Sequence, residues 1–246
     1  MKLKVLGSSS LGNCYILENE QEALIIEAGI KMSEVKKALR FNISKIVGAI
    51  ITHEHNDHAG YFREFLNIGF PVLTSESVFQ KKNTGLMPSW AKIIYPNKGY
   101  TLGGFKIIPF TVKHDVPCLG FLIDHAEIGR LLFVTDTMML EYTFPGLNHI
   151  MLEANYADDI LSNNIENGRM PASMRGRLLD SHMELETTKG ILSSNDLSKV
   201  SNIILIHLSA GNSDEERFIN EVRELTGKLV YAAIKGYEFE LSINPY

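Results

Sequence analysis

The chain has 246 residues, 45% hydrophobic and 22% charged, with 24 Lys and Arg against 29 Asp and Glu for a net charge of -5. That apolar content excludes a disordered chain, and Gly and Pro are too few for a fibrous one. The negative charge argues against a coat for nucleic acid, which works by neutralising phosphates, but not against a nucleic-acid enzyme, because bound cations reset the charge of a site.

The length suits one domain over 1–246 with a substantial core. Two cysteines, Cys14 and Cys118, make no disulfide framework, so a reducing compartment is expected. Met1 to Leu17 is interrupted by Lys4, Gly7 and a serine run, unlike a signal peptide. No run approaches the roughly 18 apolar residues of a membrane span. A cytoplasmic protein with no membrane role is the expectation.

In chain order, Leu3 to Leu6, Cys14 to Leu17 and Ala23 to Ala28 read as strands, with a Gly- and Ser-rich turn at Ser8 to Asn13. Ser33 is placed to cap a helix through Leu39. Ile46 to Thr52 is nearly all apolar, as a strand covered on both faces is. His58 to Leu66 reads as a helix, Pro71 to Thr74 as a strand and Glu76 to Lys82 as a helix.

Strands follow at Phe105 to Lys113, Gly120 to Asp124, Arg130 to Thr135 and His149 to Glu153. The stretch 158–180 is polar and irregular, an exposed insertion beside a site. Then come a helix at Leu185 to Leu192, a strand at Ile203 to His207, a capping box at Ser213 to Glu216 opening a helix to Leu225, and closing strands at Leu229 to Ala232 and Glu238 to Leu241. Strands in both halves with helices between them predict a layered α/β protein with two sheets.

The chemical signal is Thr52-His53-Glu54-His55-Asn56-Asp57-His58, where three of eight histidines fall within six positions after an apolar strand. Such a strand end delivers side chains into the crevice where ligands bind. His53 and His55, two apart, point the same way if strand geometry continues. Neutral imidazole and carboxylate are good donors to divalent metals. A solvated loop is the bland alternative. His114, Asp136 and His207 each follow a buried-looking strand. Each alone reads as structural, but together they complete the cluster.

The pattern His53-x-His55-x-Asp57-His58 with His114, Asp136 and His207 resembles the metallo-β-lactamase superfamily of hydrolases. The resemblance implies a four-layer αββα sandwich and two divalent metal ions. His53, His55 and His114 would hold one, Asp57, His58 and His207 the other, and Asp136 would bridge them. Zinc is the first expectation, and manganese and iron accept the same donors. Ser8 to Cys14, Leu152 to Asn155, Ser181-His182 and His207 to Asn212 are similar to motifs of the YycJ/WalJ-like branch, described as DNA-processing exonucleases. Glu27 stands where the family has an Asp that supports the site from behind. Met183-Glu184-Leu185 replaces the Leu-Ser-Asn of that branch.

Two such ions lower the pKa of a shared water and polarise the attacked group, so no Ser or Cys nucleophile is needed. Asp57 is a candidate to orient that nucleophile or accept its proton. His182 is the candidate to bind phosphate or protonate a leaving oxygen. Arg175 and Arg177 are candidates to clamp phosphate, and Asn13 and Asn155 to line the rim. His125 and His149 read as ordinary strand-end residues and Trp90 as packing under a loop.

A carboxylate at position 136, where antibiotic-hydrolysing members carry Cys, argues against penicillin hydrolysis. The leading expectation is a phosphodiesterase or nuclease acting on nucleic acid or a nucleotide phosphodiester, in particular an exonuclease. The alternatives are a hydrolase of lactones or thioesters and a non-catalytic metal-containing binding protein.

Overall fold

Two strand patterns run through the chain. Strands buried along their whole length, such as Ala-Leu-Ile-Ile and, after its first residue, Asn-Ile-Ile-Leu-Ile, are runs of apolar residues because elements cover both faces. Strands with exposed positions include Phe105–Val112, which is antiparallel to its neighbours, and the parallel edge strands Ala91–Ile93 and Leu229–Ala232. A computed structural model describes residues 1–82, 85 and 87–243.

The first six strands are β1 (Lys2–Gly7), β2 (Cys14–Glu18), β3 (Ala23–Ile26), β4 (Ile46–Ile50), β5 (Val72–Thr74) and β6 (Ala91–Ile93). The next seven are β7 (Tyr100–Leu102), β8 (Phe105–Val112), β9 (Cys118–His125), β10 (Gly129–Val134), β11 (His149–Glu153), β12 (Asn202–Ile206) and β13 (Leu229–Ala232). A last strand, β14 (Glu238–Glu240), returns to β1. The sheet orders are β14-β1-β2-β3-β4-β5-β6 and β13-β12-β11-β10-β9-β8-β7. β3 to β6 are parallel in one sheet and β10 to β13 in the other.

Helices α1 (Met32–Ala38), α2 (Asn56–Ala59), α3 (Phe62–Ile68) and α4 (Glu76–Lys82) accompany the first sheet. Helices α5 (Asp158–Glu166), α6 (Met174–Ser181), α7 (Leu185–Ser194) and α8 (Glu215–Thr226) follow with the second. The expected αββα sandwich is the fold, and its cores are three. Leu17, Leu24 and Ile26 meet Phe105, Phe121 and Phe133 between the sheets. Val35, Phe62 and Phe65 bury the outer face of the first sheet, and Leu185, Leu192 and Phe218 that of the second. Among the described residues no helix is long and apolar enough to cross a membrane.

Local differences from the sequence reading have physical causes. The helix expected from His58 to Leu66 is two helices, because the His58 carbonyl accepts the Ala28 amide at 2.7 Å and the Ala28 carbonyl accepts the Tyr61 amide at 2.9 Å. These bonds dock α2 onto the end of β3 instead of letting it continue. Ser33 lies inside α1 and caps nothing; the Met32 amide donates to Glu64 Oε2 of α3 at 2.9 Å. The capping residue of α8 is Asp214, which accepts the Arg217 amide, while Ser213 Oγ donates back to the Ser209 carbonyl. The stretch read as irregular over 158–180 forms α5 and α6. β6 and β7, three residues each, carry too little pattern to be read in advance.

Candidate metal centre

The parallel blocks of both sheets open on one edge, and the strand ends there converge. His53 and His55 follow β4, and Asp57 and His58 sit on α2. His114 follows β8, Asp136 follows β10, Glu153 ends β11 and His207 follows β12. Two groups of donor atoms, each within 4.8 Å of one another, result: His53, His55, His114 and Asp136, then Asp57, His58, Asp136 and His207.

Asp136 belongs to both groups, and its two oxygens divide between them. Oδ2 lies 3.7 Å from His53 Nε2 and 3.9 Å from His114 Nε2; Oδ1 lies 3.3 Å from His58 Nε2 and 3.6 Å from His207 Nε2. All seven residues of the sequence motif are therefore brought together.

Hydrogen bonds behind the imidazoles fix which nitrogen faces inward. Thr52 Oγ1 donates to Glu27 Oε1 at 2.6 Å and so accepts from His53 Nδ1 at 2.9 Å. His53 Nε2 is left bare toward the cluster, buried and with no hydrogen-bond partner among the described residues. His114 Nδ1 donates to the Ser181 carbonyl at 3.1 Å, which turns Nε2 inward. Burial lowers the pKa of both rings, aided at His53 by the His58 charge and at His114 by that of His55, so they stay neutral as metal ligands must.

The field of the cluster favours positive charge. Burial pushes the Asp136 carboxyl up, but His207 and His58 outweigh it and hold the group well below the carboxylate range. Asp57 is likewise held far down against its burial, by hydrogen bonds from His207 and His58. Burial alone would lower His58 and His207; Asp136 together with Glu27 at His58, and with Asp57 at His207, raises both instead. A bare inward imidazole, a carboxylate split between two histidine sets and ionised acids fit a pair of divalent cations.

The other candidates fall at different depths. His182, half-buried at the end of α6, places Nδ1 2.8 Å from Glu153 Oε1 and stacks on His207 with ring centroids 5.2 Å apart. Burial would lower its pKa, but Glu153 raises it to about 9. Asn13 and Asn155 are buried. Asn155 Nδ2 donates to the His207 carbonyl at 2.8 Å from behind the ring, whereas Asn13 Nδ2 lies 3.0 Å from His58 Nε2, the nitrogen that faces Asp136. Arg175 is engaged by Asp158 and by Ser162 Oγ, and Arg177 is exposed on α6. Glu184 caps α7 where the branch motif differs. Cys118 Sγ sits 3.6 Å behind His53 Nδ1, its thiol pushed well up by burial.

Glu153 escaped the sequence reading as a site residue. It is fully buried and forms a third group with Asp136, His182 and His207. The available signal was the one that marked His207: a polar residue ending a wholly buried strand. Asp115 was missed too, 3.0 Å from His114 Nε2 and 3.4 Å from His55 Nε2; nothing in its sequence context sets it apart from a loop charge.

The backbone is bent to make these approaches. Glu27, Asp136 and His207 have φ of 71°, 50° and 56°, a region that costs energy for residues other than glycine. Two cavities are lined by residues next to the cluster rather than by the metal set itself. One of about 590 Å³ includes Ser8, Ser9, Leu11, Ser209 and Lys235. The other, about 420 Å³, includes Ile93, Tyr95, Pro96, Pro117 and Cys118.

Residues 9–141 match the family model described as the metallo-beta-lactamase superfamily. The chain belongs to that superfamily. Within it, the chain is 27% identical over 229 residues to Exodeoxyribonuclease YycJ of Bacillus anthracis, covering 88% of this chain and 85% of that protein. It is 25% identical over 230 residues to Exodeoxyribonuclease WalJ of Streptococcus pneumoniae serotype 2 (strain D39 / NCTC 7466), covering 87% and 84%. The metallo-beta-lactamase fold protein YhfI from Bacillus subtilis shares the fold with a TM-score of 0.72 at 15% identity, over 97% of this chain and 99% of that one. The His/Asp clusters are those of a dinuclear metallo-β-lactamase metal site, and the chain is a metallo-β-lactamase-fold hydrolase.

Proposed function

We propose that this hydrolase is a two-metal phosphodiesterase acting on nucleic acid, working as a DNA exonuclease. The observation that carries the reading is the division of the Asp136 oxygens between two histidine sets, with the His182–Glu153 pair 2.8 Å apart alongside. The named activity of the YycJ and WalJ relatives supports the nucleic-acid substrate. A reducing compartment such as the cytoplasm suits its two buried free thiols.

His53, His55 and His114 would hold one cation, Asp57, His58 and His207 the other, and Asp136 both. Zinc suits these donors, and manganese or iron would serve. Bound there, the cations supply Lewis-acid charge and make a water acidic enough to attack at neutral pH. Asp57, ionised and 19% exposed, would orient that water. His182, with Nδ1 on Glu153, carries a proton on Nε2 for the departing oxygen. Arg177, exposed on α6, is a candidate to meet substrate phosphate, whereas Arg175 must first leave Asp158 to do so.

A second reading is a hydrolase of lactones or thioesters, which the same two-cation set would serve. The deciding experiment gives the metal-loaded protein DNA, RNA, bis(p-nitrophenyl) phosphate, a lactone and a thioester. Turnover of DNA and the phosphate diester is expected. Inactivity on every phosphodiester together with clear lactone or thioester turnover overturns the proposal.

A further inference from the structure

The turn 8–13 between β1 and β2 binds nothing in the reaction above, yet it reaches every member of one metal set. Ser8 Oγ accepts the His207 backbone amide at 2.9 Å, across 199 positions of sequence. The buried Tyr15 hydroxyl donates to Ser8 Oγ at 2.7 Å and so fixes its free lone pair toward His207. His207 is held in its left-handed conformation from both sides, at its amide by Ser8 and at its carbonyl by Asn155. At the other end of the turn, the Asn13 amide accompanies α2. Its backbone N–H donates to the Asp57 carbonyl at 2.7 Å, and Nδ2 lies 3.4 Å from Asp57 Oδ2 and 3.0 Å from His58 Nε2.

Among the described residues, no hydrogen bond or ion pair joins this turn to His53, His55 or His114. Those are held by Thr52, by the Ser181 carbonyl and by Asp115. Glu27 stands behind both sets, since its Oε1 accepts from Thr52 Oγ1 and lies 3.3 Å from His58 Nδ1, whereas the 8–13 turn reaches one set alone.

We propose that the 8–13 turn is a positioning element for one cation only: Ser8 and Asn13 set the affinity of the Asp57–His58–His207 position. This rests on the two-metal reading. Groups that orient metal ligands change affinity by about 10- to 100-fold when removed.

The test is a cobalt(II) titration of the metal-free protein, read by its visible spectrum and by elemental analysis after dialysis. The wild-type chain is expected to hold two equivalents. Ser8→Ala and Asn13→Ala are expected to weaken one equivalent 10- to 100-fold, leaving a spectrum that matches His207→Ala. Ser8→Thr, which keeps Oγ, restores the second equivalent. If Ser8→Ala does not fold, Tyr15→Phe carries the same comparison by removing one hydroxyl. Equal weakening of both equivalents, or of neither, by the turn variants overturns the proposal. A wild-type chain that binds fewer than two equivalents instead overturns the two-metal reading beneath it.

Discussion

His182 is tied to the buried Glu153 by one ring nitrogen and stacks on His207, so its orientation is fixed by two contacts rather than by its own rotamer. As a proton donor it matters in proportion to how poor the leaving group is. His182→Gln should lower DNA turnover by about 10²- to 10⁴-fold. A p-nitrophenyl nucleotide ester, whose leaving oxygen needs no proton, should lose less than about tenfold, since the expected acid-catalysis factor is then absent. Steady-state kinetics on the two substrates decides it: equal losses would mean His182 only shapes the site. The seven metal-site residues were legible because four of them, His53, His55, Asp57 and His58, fall in one dense motif just after β4, and His114, Asp136 and His207 each follow a strand. Glu153 and Thr52 were not, because their role is to touch another side chain, and no one-dimensional spacing records such a contact.

At the scale of elements, the site depends on how closely α2 approaches the loops beside it. Gly29 lies where three backbones meet. A Cβ there would overlap the Asp57 carbonyl and come within 2.6 Å of the Asn13 nitrogen. Both neighbours are main chain and neither can swing aside. Gly29→Ala should therefore cost about 3 kcal/mol of stability and weaken cation binding, measured by denaturant unfolding and metal titration; unchanged values for both would contradict this packing.

A different element sets the acid limit. His149 begins β11 fully buried, and burial, helped by repulsion from the N-terminal ammonium, lowers its pKa to about 4 from 6.5. The folded chain resists a proton that the unfolded chain accepts. Stability from this group is whole above pH about 6.5 and is lost as pH falls toward 4, by about 3 kcal/mol in all. His149→Phe should flatten that part of the stability profile in urea unfolding across this range, and an unaltered slope would place the acid sensitivity elsewhere. The long elements were legible from their buried runs. The α2–α3 break and the cap at Met32 were not, because partners distant in sequence, Ala28 and Glu64, decide them.

For the whole molecule, the decisive fact is that the carboxylates of Glu27, Asp136 and Glu153 lie buried on the edge where the sheets meet. Cations bound there would tie the two sheets together as well as serve chemistry. Removing metal with a chelator should lower the melting temperature, and restoring it at a hundred times its dissociation constant should return about 3 kcal/mol. Calorimetry with and without chelator measures this, and coincident melts would show the edge to be stable unaided. The layered architecture was legible in the alternation of buried strands and helices, whereas the sheet order was not, since β14 reaches β1 from the far end of the chain.

The left-handed backbone at Glu27, Asp136 and His207 bears on how this chain can change. Asparagine or glycine would relax each of these positions. A library selected for thermal tolerance alone should therefore drift toward those residues at 27, 136 and 207 and shed its activity in doing so. Keeping an acid or an imidazole at these three bends is a standing tax that only selection for turnover maintains.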